Sequence, residues 1–182
     1  MPSEVLPSPW AEFLDETDRA LSGPVDLHCL GGFVVSVCYG LKRPTADVDI
    51  LGVAPGERLD EVLSIAGKGS ALARKYRLYV NLVTVATAPE SYEDRLRRVF
   101  ADRFTRLRLF ALDPYDLLLA KIERNQEVDR DDVRFMAGAA PIDTRVLRER
   151  YTRELRPLLA NPAREDLTLD LWTDIIEESQ SD

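Results

Sequence analysis

The pattern of hydrophobic and polar positions changes in character along the chain. In the first part, short alternating or continuous apolar stretches are separated by turn residues, which is typical of strands. The predicted strands cover residues 25–30, 46–51, 77–86 and 106–111. From residue 114 onward, apolar positions recur every three to four residues, which is typical of helices. The pattern therefore predicts a small mixed sheet followed by a helical part.

The helical periodicity also predicts helices between the first strands. The predicted helices cover residues 10–21, 33–39, 59–66, 114–125, 129–136, 143–155 and 166–178. Asp113 stands just before Pro114 and is well placed to cap the helix that starts there. We predict an α/β (α+β) fold with two domains. Residues 1–112 form a core that carries the sheet, and residues 113–182 form a helical part packed on that core.

The predicted strand at residues 77–86 is apolar on both faces, with Asn81 as the polar exception. Strands that are buried on both faces lie inside sheets, so we expect this strand to be central. Cys29 and Cys38 are too few for a disulfide framework and sit among apolar residues, so we expect both to be core residues.

Composition excludes several classes of protein. No apolar stretch approaches the roughly 20 residues that span a bilayer, and no signal peptide is evident, so we expect no membrane association and a cytoplasmic location. The formal net charge of −8 argues against tight binding to duplex DNA, which needs a large basic surface. A local basic cleft for one nucleotide or an RNA end stays compatible with this charge.

Two aspartates in the second predicted strand are the first candidate site. Asp47 and Asp49 are two residues apart, so both carboxylates leave the same face, roughly 6–7 Å apart at Cβ. Val48 and Ile50 then point to the core. Like charges on one face repel, whereas a shared Mg²⁺ would make the pair favourable, because hard cations take carboxylate oxygens. The alternative is an exposed edge strand with two solvated aspartates.

Two glycines precede this strand. Gly31 and Gly32 follow the first predicted strand and come just before a helix. Glycines in that place let the backbone approach a phosphate, and the helix start offers unpaired N–H groups. The alternative is a plain tight turn. Together, the glycine pair and the two aspartates predict a phosphate cradle beside a metal site.

At this point the sequence resembles the polymerase-β-type nucleotidyltransferase superfamily. The residues that carry the resemblance are Gly31, Gly32, Arg43, Thr45, Asp47 and Asp49. It is similar above all to the minimal nucleotidyltransferases of bacterial toxin–antitoxin systems, the AbiEii/MenT-like toxins. The resemblance implies a sheet of the nucleotidyltransferase type, a glycine pair that holds a triphosphate, and aspartates that hold catalytic Mg²⁺. Arg43 would reach a phosphate or hold an aspartate in place; the alternative is a solvent-facing arginine.

The resemblance also implies an activity and partners. Such an enzyme moves a nucleoside monophosphate from a nucleoside triphosphate to a hydroxyl acceptor and releases pyrophosphate. In the toxin group the acceptor is an RNA, the 3′ end of tRNA, and a cognate antitoxin protein silences the enzyme. We expect the same class of substrate, acceptor and partner here.

A second set of motif residues lies in the predicted helical part. Asp116 and Lys121 match a D-x-x-x-x-K motif of the toxin group, and Asp129 and Asp132 match the acidic pair of its next motif. Val128 stands where that motif has arginine. The resemblance implies that Lys121 gives positive charge to the triphosphate and that Asp129 acts in catalysis. The alternative is an ordinary charged, solvated helix face.

Asn81 marks a departure from the superfamily. A third carboxylate usually stands on the neighbouring strand and deprotonates the attacking hydroxyl, and an asparagine cannot act as that base. Either Asp129, Asp132 or Glu90 fills the role, or the protein is a catalytically weak or inactive module that binds a nucleotide or a partner. A purely structural interaction domain is a third interpretation.

Overall fold

The computed structural model of the protein describes residues 5–181. Residues 1–4 of the first predicted domain and residue 182 of the second lie outside the described residues. The chain forms two compact units. The sheet unit comprises residues 5–84 and Leu96–Ala111. The helical unit comprises Val85–Arg95 and residues 112–181.

Within the described residues, the sheet unit contains five strands in the order β3-β2-β1-β5-β4. The strands are β1 (Val25–Leu30), β2 (Asp47–Ala54), β3 (Tyr79–Leu82), β4 (Arg97–Val99) and β5 (Leu107–Ala111). β2 runs antiparallel to β1 and parallel to β3, whereas β5 runs parallel to β1 and antiparallel to β4. The sheet is therefore mixed, and the predicted fold class is confirmed.

Short helices complete the sheet unit. They are α1 (Trp10–Ala20), α2 (Gly31–Phe33), α3 (Leu59–Ala66) and α4 (Ala71–Tyr76). α2 continues into a wider π-helical turn, Val34–Cys38, so the helix predicted from residue 33 starts two residues earlier, at the glycine pair. Cys29 and Cys38 are fully buried, which confirms their prediction as core residues.

β2 shows the predicted alternation. Val48 and Ile50 are fully buried, whereas Asp47 and Asp49 are half-buried on the other face. The interpretation of this segment as an exposed edge strand is wrong, because β2 lies between β1 and β3. A strand with backbone partners on both sides holds its side chains at fixed spacing, so the two carboxylates are presented by a rigid element.

The prediction of a central strand at residues 77–86 is wrong. β3 is shorter and lies at the edge of the sheet. Val80 is buried, and Gly67 makes an isolated backbone bridge to it from outside the named strands. β4 was not among the predicted strands. It pairs with β5 although two of its three residues are exposed arginines, so hydrophobic pattern could not reveal it.

The helical unit contains four main helices within the described chain, α5 (Pro114–Leu119), α6 (Glu127–Ala139), α7 (Thr144–Arg150) and α8 (Pro162–Ser181). The Asp113 side chain accepts the backbone N–H of Asp116, which confirms the predicted cap of α5. The helix predicted to residue 125 ends at Leu119 and continues as turns. No helix in the part of the chain that the structure describes is long and apolar enough to cross a membrane.

Candidate functional site

The first glycine begins α2 directly after β1. Gly31 has a φ of +71°, a conformation that strains any residue with a Cβ atom. A Cβ placed there would lie 3.1 Å from Cβ and 3.2 Å from Cγ of Asp49, and its nearest atom would be Asp49 Oδ2. Glycine is therefore required at position 31 for two reasons: the backbone conformation and the close approach of the Asp49 carboxylate.

The second glycine lies against the turn that leads into β2. A Cβ at Gly32 would lie 2.9 Å from Thr45 Oγ1 and 4.0 Å from a guanidinium nitrogen of Arg43. The Thr45 hydroxyl donates in turn to Asp47 Oδ1 at 3.3 Å. The glycine pair, Arg43, Thr45 and the two aspartates thus surround one bend of the chain in the sheet unit. Here Thr45 also contacts an aspartate, which its place in the motif alone did not reveal.

β3 supplies a neutral partner to each aspartate. In the parallel β2–β3 register Asp47 faces Tyr79, and Asp49 faces Asn81. The Asn81 amide nitrogen donates to Asp49 Oδ1 at 2.8 Å, and the Tyr79 hydroxyl donates a longer bond to Asp47 Oδ2 at 3.5 Å. The strand that would carry a third carboxylate therefore presents two hydrogen-bond donors instead.

The electrostatics keep Tyr79 in its donor form. Burial raises the pKa of the Tyr79 phenol, and the neighbouring charges of Asp47 and Asp49 raise it further. The hydroxyl therefore keeps its proton at neutral pH. The Lys68 ammonium lies 6.0 Å from the centre of the Tyr79 ring, so a cation is present beside the phenol.

The donor set at β2 fits a hard divalent cation that also takes oxygens from its substrate. Within residues 5–181, no group of three or more His, Cys, Asp or Glu side chains is arranged to hold a metal ion. Mg²⁺ sites commonly use one or two carboxylates, with water and substrate phosphates completing the coordination. Asp47 and Asp49 meet that requirement, and Gly31 lets the Asp49 carboxylate lie against the start of α2.

The second motif forms a buried ion cluster in the helical unit. Lys121 is 5% exposed, and its ammonium lies 2.9 Å from Asp132 Oδ2 and 3.7 Å from Asp129 Oδ1. Asp129 also accepts hydrogen bonds from the Arg124 guanidinium and from the backbone N–H of Gln126 at the start of α6. The alternative interpretation expected a solvated helix face. Lys121 and the two aspartates are buried instead, so that interpretation is wrong.

The proton affinity of Asp129 follows from these contacts. Burial raises the pKa of its carboxyl, but the hydrogen bonds from Arg124 and Gln126 and the charge of Lys121 outweigh burial and hold it below its ordinary value. Asp129 is therefore ionised at neutral pH and a weak proton acceptor. Its predicted catalytic role, and that of Lys121 at a triphosphate, stay predictions.

Asp116 is fully buried and held by two arginines of the helical unit. Arg95 donates to both of its oxygens, at 2.8 and 3.1 Å, and Arg150 donates to Oδ1 at 3.1 Å. Arg95 also binds the Glu154 carboxylate at 2.7 Å. Arg95 and Arg150 lie 21 and 34 positions from Asp116 in sequence, so no local pattern indicated these contacts.

Comparison with known proteins gives one result for the whole chain. No curated protein and no solved structure shows significant similarity to it. Residues 12–179 match the model of a family described as nucleotidyltransferase of unknown function (DUF6036). The match runs from within α1 to within α8 and includes every site residue described above. The chain therefore belongs to this family of nucleotidyltransferases.

Proposed function

We propose that the protein is a Mg²⁺-dependent nucleotidyltransferase that transfers a nucleoside monophosphate from a nucleoside triphosphate to a hydroxyl acceptor. The observation that carries the proposal is the approach of Gly31 to the Asp49 carboxylate. A triphosphate bound along the glycine bend has its oxygens next to the two aspartates, where carboxylate and phosphate oxygens can share one cation.

Each residue of the bend has a specific role in this proposal. Asp47 and Asp49 hold Mg²⁺, which when bound neutralises charge on the reacting phosphate. Gly31 and Gly32 begin α2, and the backbone N–H groups at the start of a helix bind phosphate oxygens. Arg43, whose guanidinium lies near Gly32, pairs with a phosphate through its forked donors.

Thr45 positions one of the two aspartates, and the helical unit has no role in the proposed site. The Thr45 hydroxyl orients Asp47 through its hydrogen bond to Oδ1. The proposal does not depend on Lys121 or Asp129, because the structure pairs both within the helical unit. Their ion cluster joins the turn after α5 to α6.

The resemblance to the AbiEii/MenT-like toxins supports a finer proposal for the acceptor and the partner. The acceptor is the 3′ end of tRNA, and the protein is a toxin that a cognate antitoxin silences. Exposed basic side chains in the sheet unit support RNA contact, namely Lys42 beside Arg43, Lys68 beside the Tyr79 ring, and Arg77 just before β3. They supply a local positive surface on a chain with net charge −8.

A specific observation favours a second candidate. Asn81 donates to Asp49 where a carboxylate would act as the base, so the acceptor hydroxyl has no proton acceptor on β3. The second candidate is therefore a catalytically weak or inactive nucleotide-binding or partner-binding module on the same fold.

Transfer of a radioactive label distinguishes these candidates. The full chain is incubated with Mg²⁺, each α-labelled nucleoside triphosphate in turn, and total tRNA. We expect label on tRNA, lost with chelator and in Asp49→Ala. Asp131→Ala is the matched control, because Asp131 is an exposed carboxylate with a single ion-pair partner, Arg134. We expect that variant to keep full transfer.

Each other result has a defined meaning. Transfer that survives Asp49→Ala would remove the site assignment. Label on a protein or small molecule, and none on tRNA, would contradict the acceptor and leave the transfer reaction. No transfer with any triphosphate, together with a Mg²⁺-dependent rise in melting temperature, would favour the inactive module.

A further inference from the structure

We infer that the Asp47–Asp49 site binds a single divalent cation and that Asn81 is the positioning residue that sets this number. The inference rests on the proposed function of the same site and concerns its metal content. It starts from the hydrogen bond of 2.8 Å between the Asn81 amide and Asp49 Oδ1.

The direction of that hydrogen bond fixes the orientation of the amide. An ionised carboxylate only accepts hydrogen bonds, so Asn81 must present its NH₂ group to Asp49 and not its carbonyl oxygen. An NH₂ group repels a cation, whereas a carboxylate in the same place would bind one. The parallel register of β2 and β3 holds Asn81 directly opposite Asp49, so this NH₂ group lies beside the proposed metal ligand.

Tyr79, the other β3 residue that faces an aspartate, is also a hydrogen-bond donor without negative charge. The Tyr79 hydroxyl points to Asp47 Oδ2 at 3.5 Å, and it too is a neutral donor. Each aspartate therefore faces a donor that orients the carboxylate and adds no negative charge. Partners of this kind hold metal ligands in position, and their removal typically weakens metal binding about 10- to 100-fold.

The charge at the site then limits the number of ions. Two divalent cations in one site lie about 3.5–4 Å apart, and at that distance their repulsion has to be offset by shared anionic ligands. Asp47, Asp49 and the phosphate oxygens supply the ligands of one ion, and the NH₂ group of Asn81 stands where a further carboxylate would be needed to hold a second ion beside Asp49. Among the described residues no arrangement of three acidic or metal-binding side chains supplies that carboxylate.

The experiment counts bound ions without measuring activity. Mn²⁺ is titrated into the full chain in the presence of a non-hydrolysable nucleoside triphosphate analogue, and free Mn²⁺ is measured from its electron paramagnetic resonance signal. A titration of the analogue alone is subtracted. We expect one Mn²⁺ per wild-type chain and two per Asn81→Asp chain. Asn161→Asp makes the same charge change at an exposed loop position and should keep one.

Asn81→Ala covers the case in which Asn81→Asp does not fold. It removes the donor and adds no charge, so we expect one ion bound about 10- to 100-fold more weakly. Two ions on the wild type, one ion on folded Asn81→Asp, or unchanged affinity in Asn81→Ala would each overturn the inference. The double variant Asp47→Asn, Asp49→Asn tests the proposed function separately. If it still binds Mn²⁺ as the wild type does, the site assignment itself is wrong.

Discussion

Gly31→Ala is the substitution that tests the glycine bend most sharply. Its first effect is backbone strain, because an alanine at a φ of +71° costs about 1–2 kcal/mol. For a chain of this size each kcal/mol shifts the melting temperature by about 2–4 °C, so we expect a loss of roughly 2–8 °C.

Its second effect is steric and acts on the proposed site. The new methyl group would lie 3.1 Å from Asp49 Cβ and 3.2 Å from Cγ, closer than carbon atoms normally approach. Asp49 must move by a few tenths of an ångström, and its hydrogen bond to Asn81 must change with it. Since a displacement of about 1 Å can cost 100-fold in rate, we expect transfer to fall about 10- to 100-fold.

Two other glycines separate the strain from the displacement. Gly40 has a φ of +87°, but a Cβ there would meet nothing within 4 Å. Gly40→Ala should therefore lose stability as Gly31→Ala does and keep its activity. Gly52→Ala, in β2 with no such contact and no positive φ, should change neither quantity much.

Melting temperature and label transfer are measured on all three variants. The reasoning is refuted if Gly31→Ala melts like Gly40→Ala and also transfers label at its rate. That result would show that the close approach of Gly31 to Asp49 has no functional consequence.

Three further predictions concern charge. Arg95→Met leaves buried Asp116 with one arginine fewer and should lower the free energy of unfolding, measured by urea titration, by about 3 kcal/mol. Arg134→Ala breaks only an exposed ion pair and should lower it by less than about 0.5 kcal/mol. Equal losses in the two variants would contradict the buried network. The pKa of Asp129 is lowered in the folded state, so its stabilisation is complete above about pH 4 and is lost as pH falls through the lower folded value. Wild type should therefore lose more stability than Asp129→Asn between pH 5 and pH 2, and parallel curves would argue against this. Asp47→Asn relieves like-charge repulsion and should melt slightly higher without ligand, but it should lose the stabilisation by Mg²⁺ plus triphosphate; a retained shift in melting temperature would exclude Asp47 as a metal ligand.

The local sequence pattern was sufficient to predict features that depend only on neighbouring residues in one strand or one turn. The alternation around Val48 and Ile50 placed both aspartates on one face, because strand periodicity depends only on neighbouring residues. The cap at Asp113 was predictable for the same reason, since the capping residue and Pro114 are adjacent.

Features that depend on distant residues could not be read in this way. β3 has the apolar composition of a central strand, yet it lies at the sheet edge, where Gly67 makes an isolated backbone bridge to Val80. The burial of Lys121 depends on Asp129 and Asp132 from the next helix, so spacing within α5 and its following turns could not reveal it.

The candidate site likewise combines features that depend on neighbouring residues with features that depend on distant ones. The motif residues from the glycine pair to Asp49 are close in sequence, and their spacing was enough to indicate a shared site. The hydrogen bond from Asn81 depends on which residue of β3 faces Asp49, and strand register is decided by pairing across the sheet. Tyr79 was not predicted as a site residue, because only this register brings it to Asp47.

The most direct test of the account is a crystal structure of the full chain with Mn²⁺ and a non-hydrolysable triphosphate analogue. Anomalous scattering locates Mn²⁺ independently of the protein atoms. The account predicts one anomalous peak in contact with the carboxylates of Asp47 and Asp49, with the phosphates along Gly31 and Gly32. A triphosphate bound elsewhere, or a peak that touches neither carboxylate, would contradict it.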